Sequence, residues 1–160
     1  MAEGSQPPKK VLVVCTGNTC RSPMAEGWLN QKLAGKGWIA KSAGVAAWGG
    51  GCASPEAVEV MREIGVDISA HRNRSLTRAL VDEAAIVLAM TDSHRREIER
   101  RFPEAAKKTF LVKNFGAAPA EDMADPFGAS ADVYRHVRDE LVQALGDFLL
   151  YLAERGELKR

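Results

Sequence analysis

Apolar and polar positions along this chain fall into blocks whose period changes from one block to the next. Val11-Leu12-Val13-Val14 is a continuous apolar run, the mark of a strand buried on both faces, and it predicts a strand over residues 10–15. Small polar residues follow. Ser22-Pro23 then reads as a helix start, a capping Ser before a Pro suited to the first turn. Met24, Trp28, Leu29 and Leu33 give that helix an apolar stripe to about Ala34, and Gly35 and Gly37 end it. Trp38-Ile39-Ala40 opens a second strand that runs to Ser42-Ala43-Gly44. Residues 45–53 hold Trp48, three consecutive glycines and Cys52, and are expected to form an irregular loop.

Ser54-Pro55-Glu56 is another cap-and-Pro start, for a helix carried by Val58, Met61 and Ile64 and stopped by Gly65. A polar connection over residues 66–77 contains His71, and residues 80–83 suit a helical turn. Residues 84–90 read as a third strand. Residues 91–101 read as a charged helix with Arg95-Arg96-Glu97 and Glu99-Arg100-Arg101 on its wet face. A short fourth strand is expected over 109–112, then a long loop over 113–130 that holds Asp122, Asp125, Pro126, Phe127 and Gly128. In the last helix, 131–154, Val133, Val137, Leu141, Leu145, Phe148 and Leu152 recur at steps of three and four.

Strands alternating with helices predict an α/β fold of three layers, a parallel sheet between helices on both faces. Such sheets bind ligands at the carboxyl ends of their strands. The loop after strand one lies there, and the loops containing Trp48, Thr91-Asp92 and Asp125 are expected to converge on it.

Length and composition then narrow the field. A chain of 160 residues suits one domain, taken as 10–158 behind a disordered lead-in over 1–9. A net charge of +1 gives no bulk case for nucleic acid or an anionic membrane. The apolar runs are far short of a membrane span, and the first residues lack the apolar core of a signal peptide. Three cysteines do not make a disulfide framework, so the chain reads as cytoplasmic with functional thiols.

The chemistry concentrates in Cys15-Thr16-Gly17-Asn18-Thr19-Cys20-Arg21-Ser22. A loop entering a helix gathers unpaired backbone N–H groups, and the helix dipole adds positive potential; an anion suits that geometry. Cys15 would sit at its base, where the same potential favours thiolate. Arg21 offers a planar fork matched to phosphate oxygens. Cys15 alone could be a small core residue, but an arginine beside an inert buried thiol would be expensive to desolvate. Together they point to phosphoryl transfer through a thiophosphate on Cys15, with Ser22 able to donate to the sulfur. A general acid must protonate the leaving atom and later take a proton from water. Asp125, stiffened by Pro126, is the candidate and Asp122 the fallback, although Asp125-Pro126 could instead start an Asx-type turn.

The stretch from Cys15 to Glu26, with Ser42-Ala-Gly44, Asp67-Ile-Ser-Ala-His71 and Asp125-Pro-Phe-Gly128, resembles the low-molecular-weight protein tyrosine phosphatase family over roughly residues 10–155. The resemblance implies a four-stranded parallel sheet and neither metal nor organic cofactor. It implies a phosphorylated protein substrate, inorganic phosphate as product, and a monomer or weak dimer. By position, Cys15 is the nucleophile, Arg21 the phosphate clamp and Asp125 the acid, while Asn18, Ser22, Ser42 and His71 hold the loop in shape. Thr19, where many tyrosine enzymes carry Ile or Leu, and Phe127, where they usually carry Tyr, resemble the bacterial protein-arginine phosphatases of the family. Thr19 with an anionic Asp125 would orient a guanidinium; alternatively Thr19 replaces Ile only sterically. Trp48 is expected to wall the cleft. Cys20 either closes a reversible disulfide with Cys15, as the family implies, or is passive.

An arsenate reductase would share the loop but needs two further cysteines, which residues 53–160 lack. A non-catalytic anion-binding redox sensor would have no use for Asp125.

Overall fold

The computed structural model describes residues 6–160. The first apolar run forms β1 (Lys9–Cys15), longer by one residue than its pattern and fully buried from Val11 onward. Residues 1–5 of the expected lead-in lie outside the described residues, and Lys9 at its end already pairs in the sheet. The strands β2 (Trp38–Gly44), β3 (Ile86–Ala89) and β4 (Thr109–Leu111) join β1 in one parallel four-stranded sheet, ordered β2-β1-β3-β4. Alternate residues of β1 feed the two faces. Val11, Val13 and Cys15 enter the core beneath α1 (Arg21–Leu33), α2 (Pro55–Arg62) and α5 (Ala131–Glu154). Leu12 and Val14 enter the opposite core beneath α3 (Arg78–Glu83) and α4 (Asp92–Arg101). The three layers are those the block pattern implied.

Three of the five α-helices among the described residues start at a side-chain cap, and Ser130 before α5 makes no such bond. Ser54, Thr77 and Thr91 each accept a hydrogen bond from a first-turn N–H of α2, α3 and α4. Ser22 was expected to do the same for α1 and does not. Cys20 occupies the cap position without a side-chain cap bond, and Ser22 lies inside the first turn with its hydroxyl on Cys15.

Other departures are small and physical. The third strand stops at Ala89, and Met90 just beyond it still donates to the Val14 carbonyl at 3.0 Å. Two 3-10 turns, 103–108 and 112–115, occupy a stretch left unassigned before the fourth strand and the join between that strand and the long loop. On α5, Val133 is 43% exposed and Tyr134 takes its place at 1%, so the buried stripe is Tyr134, Val137, Leu141, Leu145, Phe148 and Leu152. Phe148 is fully buried, and its truncation to Ala would cost about 3–5 kcal/mol.

The order β2-β1-β3 makes β1 the switch point, since the chain moves outward to β2 and then crosses back to β3. The loop leaving β1 therefore opens at the carboxyl edge with neighbours on both sides. Gly44 lets it come close: a Cβ there would sit 2.4 Å from the Thr16 carbonyl oxygen and 3.0 Å from the Asn18 nitrogen.

Candidate active site

Asn18 is the hub of the loop after β1. Its φ of 58° lies in the left-handed region, which Asn tolerates better than most side chains. Every polar atom of its side chain is used. Nδ2 donates to Ser22 Oγ at 2.8 Å and to Ser42 Oγ at 2.9 Å, and Oδ1 accepts from the Arg74 N–H at 2.9 Å. Its own carbonyl accepts from His71 Nε2 at 2.9 Å. A carbonyl only accepts, so His71 carries its proton on Nε2, with Nδ1 3.8 Å from Glu26 Oε1. Ser42 Oγ in turn donates to that same Glu26 oxygen. Glu26 ends the stretch that carries the family resemblance, but the sequence reading gave it no role; it lies one turn beyond Ser22 on α1.

Four more loop carbonyls are engaged. Cys15, Thr16, Thr19 and Cys20 accept from the N–H groups of Val45, Ala46, Ser54 and Met24 at 2.9–3.1 Å. Among the described residues, the N–H groups of Gly17, Thr19, Cys20 and Arg21 have no acceptor. With carbonyls bound outward, those donors are left to serve a guest anion.

Cys15 is 3% exposed, and its Sγ lies 2.8 Å from Ser22 Oγ. Burial pushes its thiol above the ordinary value, opposed by the Ser22 hydroxyl, the backbone N–H groups of Ser22 and Asn18, and the Arg21 charge. This corrects the expectation that the loop alone favours thiolate. The donors act in that direction, but desolvation is the larger cause.

Arg21 is 4% exposed; its Nη1 donates to the Met123 carbonyl at 2.9 Å, and its Nη2 stands 3.5 Å from Asp125 Oδ2. The Met123 N–H donates to the Met90 carbonyl at 2.9 Å, which ties the 113–130 loop to the end of β3. Asp125 therefore sits where the acid was expected, over the cradle and half exposed at 52%. It also makes the Asx-type turn, since its Oδ1 accepts from the Phe127 N–H at 3.0 Å. The two readings are compatible, one oxygen for each. Asp122 is elsewhere: its Oδ1 accepts from the Asp92 N–H at 2.8 Å, at the start of α4.

A cavity of about 210 Å³ collects Cys15, Thr16, Gly17, Thr19, Cys20, Arg21, Asp125 and Phe127. Thr19 and Phe127 are at its rim as expected. Trp48 does not line it; its side chain is 97% exposed. Gly49 and Gly50, both with positive φ, turn the chain so that the indole is left in solvent. Cys20 is held by Tyr134 OH at 3.2 Å, and all three cysteines are free thiols. Two residues missed in the sequence reach the site from behind, Tyr134 on α5 and His94 on α4, the latter 2.8 Å from Thr16 Oγ1. Among the described residues, no three His, Cys, Asp or Glu side chains cluster so as to hold a metal ion. No described helix is long and apolar enough to cross a membrane.

Comparison with known proteins places this geometry. Residues 10–158 match the family model described as low molecular weight phosphotyrosine protein phosphatase. The chain is similar to a protein-arginine-phosphatase of Geobacillus stearothermophilus, 49% identical over 134 residues, which span 84% of this chain and 89% of the relative. The solved arginine phosphatase YwlE from Geobacillus stearothermophilus superposes with a TM-score of 0.86 at 45% identity, covering 92% of this chain and 95% of that one. The low molecular weight protein tyrosine phosphatase from T. tengcongensis also gives 0.86, at 47% identity, covering 90% and 99%.

Proposed function

We propose that this chain, which belongs to the low molecular weight phosphotyrosine protein phosphatase family, hydrolyses phosphoarginine in proteins through a phosphorylated Cys15. That it is a protein phosphatase follows from its family and relatives. The finer reading rests chiefly on one arrangement, Cys15 at the base of a cavity rimmed by Thr19 and Asp125.

The steps balance as follows. A phosphoryl dianion enters the cradle and its charge is met by the free N–H groups and by Arg21. The Cys15 thiol gives its proton to a phosphoryl oxygen, which neutralises the cost of a buried thiolate. Sulfur then attacks phosphorus in line. An S–P bond forms, the P–N bond breaks, and Asp125 delivers its proton to the leaving nitrogen. In the second half, Asp125 takes a proton from water as its oxygen attacks phosphorus. The S–P bond breaks, Ser22 donates to the departing sulfur, and inorganic phosphate leaves. Asn18, Ser42, His71 and Glu26 hold the cradle open through both halves.

Two features favour the guanidinium substrate. Thr19 brings a hydroxyl to the rim, and Asp125, anionic once it has given its proton to the leaving nitrogen, can pair with the guanidinium that departs. The 49% identity to a relative named protein-arginine-phosphatase supports this. Phosphotyrosine is the second reading, favoured by Phe127, which lines the cavity and is 74% exposed where an aryl ring would pass. Arsenate reduction lacks its cysteines, none lying beyond Cys52. Cys20, in the same loop, is free to close a reversible disulfide on Cys15 under oxidation. Free thiols fit a cytoplasmic location, and the chain is taken to work as a monomer or weak dimer.

Turnover of matched phosphoarginine and phosphotyrosine peptides, with Thr19→Ile alongside, tests the substrate. The wild type is expected to prefer phosphoarginine and Thr19→Ile to lose that preference. A wild-type preference for phosphotyrosine, unchanged in Thr19→Ile, would overturn it.

A further inference from the structure

One buried polar side chain reaches the cavity wall without any role in the steps above. His94, in the first turn of α4, is 5% exposed, and its Nε2 lies 2.8 Å from Thr16 Oγ1. Its backbone is fixed by a bond from its N–H to Thr91 Oγ1 at 3.2 Å. Its other ring nitrogen, Nδ1, is buried without a partner. Burial, aided by the Arg21 charge, takes its pKa down to about 4 against the pull of Asp122 and Asp125, so the ring is neutral at neutral pH.

A neutral imidazole with a single partner acts on that partner alone. A hydroxyl has one donor hydrogen and two acceptor lone pairs. If His94 donates, it uses one lone pair of Thr16 Oγ1; if it accepts, it uses the hydrogen. In both cases at least one lone pair of Oγ1 stays free. Thr16 is an exposed residue of the loop and lines the cavity with Thr19 and Asp125. Phosphoryl oxygens of a dianion have no hydrogen to give such a lone pair, whereas a guanidinium presents N–H groups on every side. A neutral ring also adds no second positive charge beside Arg21 against a cationic leaving group.

We propose that Thr16 is a specificity-determining residue whose hydroxyl accepts a hydrogen bond from the guanidinium of phosphoarginine, and that His94 is the positioning residue that holds it there. This rests on the phosphoarginine reading above and adds to it a contact distinct from Thr19.

The test measures kcat and KM for Thr16→Val, His94→Leu, His94→Gln and the double variant Thr16→Val/His94→Leu. The substrates are phosphoarginine and phosphotyrosine peptides of otherwise identical sequence. Thr16→Val and His94→Leu are each expected to lower kcat/KM on phosphoarginine about 5–10-fold and on phosphotyrosine less than about twofold. His94→Gln, whose amide reaches the same oxygen, should recover most of the loss. The double variant should be no worse than Thr16→Val alone, because the two act through one hydroxyl. Equal losses on both substrates, or losses that multiply in the double variant, would overturn the assignment. If His94→Leu fails to fold, Thr16→Val and His94→Gln decide it by the same selectivity readout. A wild type that leaves phosphoarginine untouched would sink the substrate reading and this contact together. A wild type active on phosphoarginine whose selectivity survives Thr16→Val would sink this contact only.

Discussion

The two loops that meet over Arg21 are built in opposite ways. In the Cys15–Ser22 loop nearly every acceptor is tied down from outside, and Asn18 alone makes four hydrogen bonds. The 113–130 loop is clamped at Asp122 and at fully buried Met123, and beyond them Asp125 meets Arg21 and the Phe127 N–H while staying half exposed. The difference follows from what each must do. Donors that meet a fixed charge work best when they cannot relax, since their orientation costs nothing at the moment of reaction. An acid that gives and then takes a proton needs water and room to exchange. Rigidity is spent where charge is bound, and exposure is kept where protons move.

The largest expected effect removes the exposed partner. Asp125→Ala should slow hydrolysis of substrates with poor leaving groups by about 10²–10⁴-fold and barely affect activated aryl phosphates. Equal losses for all leaving groups in a leaving-group series would move the acid elsewhere. Arg21→Lys keeps the charge but loses the fork and its bond to Met123, and kcat/KM should fall about 10²–10³-fold. Because Arg21 joins the two loops, proteolysis of the 113–130 segment should also quicken in that variant.

Asn18→Ala tests how far the first loop is over-determined. It leaves the Arg74 N–H without its acceptor and the Ser22 and Ser42 hydroxyls without their amide donor, and urea unfolding should show a loss of about 1–3 kcal/mol. A loss near zero would mean the network is not what holds the cradle. The mildest change is Ser22→Ala. The Ser22 hydroxyl opposes the burial that raises Cys15, so its removal should push the thiol pKa further up. The pH profile of Cys15 alkylation by iodoacetate should then move to higher pH, and movement to lower pH would contradict the assigned bond.

Much of the fold was legible because its strands are short apolar runs and its helices start at Ser, Thr and Pro. The carboxyl-edge position of the first loop followed from that order alone. Ser22 was read both as a cap, since a Ser before Pro suits one, and as a donor to the Cys15 sulfur; Cys20 takes the cap position, and the Ser22 hydroxyl lies 2.8 Å from that sulfur. His94 was hidden inside a charged helix, where the pattern speaks for solvent, although the Thr91-Asp92 loop just before it was expected to converge on the site. Trp48 misled in the other direction, since a large ring near a cleft suggests a wall but the side chain stands in water. Burial at Cys15 was in view as the end of a buried strand, but its weight against the donors was not, because a motif shows donors and not the solvent they exclude.

The central claim is that Cys15 carries the phosphoryl group. Wild type and Cys15→Ala are compared by rapid acid quench after mixing with phosphopeptide, followed by mass analysis of the Cys15 peptide. A phosphoryl adduct on Cys15 in the wild type, with no turnover but retained phosphate binding in Cys15→Ala, is the expected result; a Cys15→Ala enzyme that still turns over would contradict it.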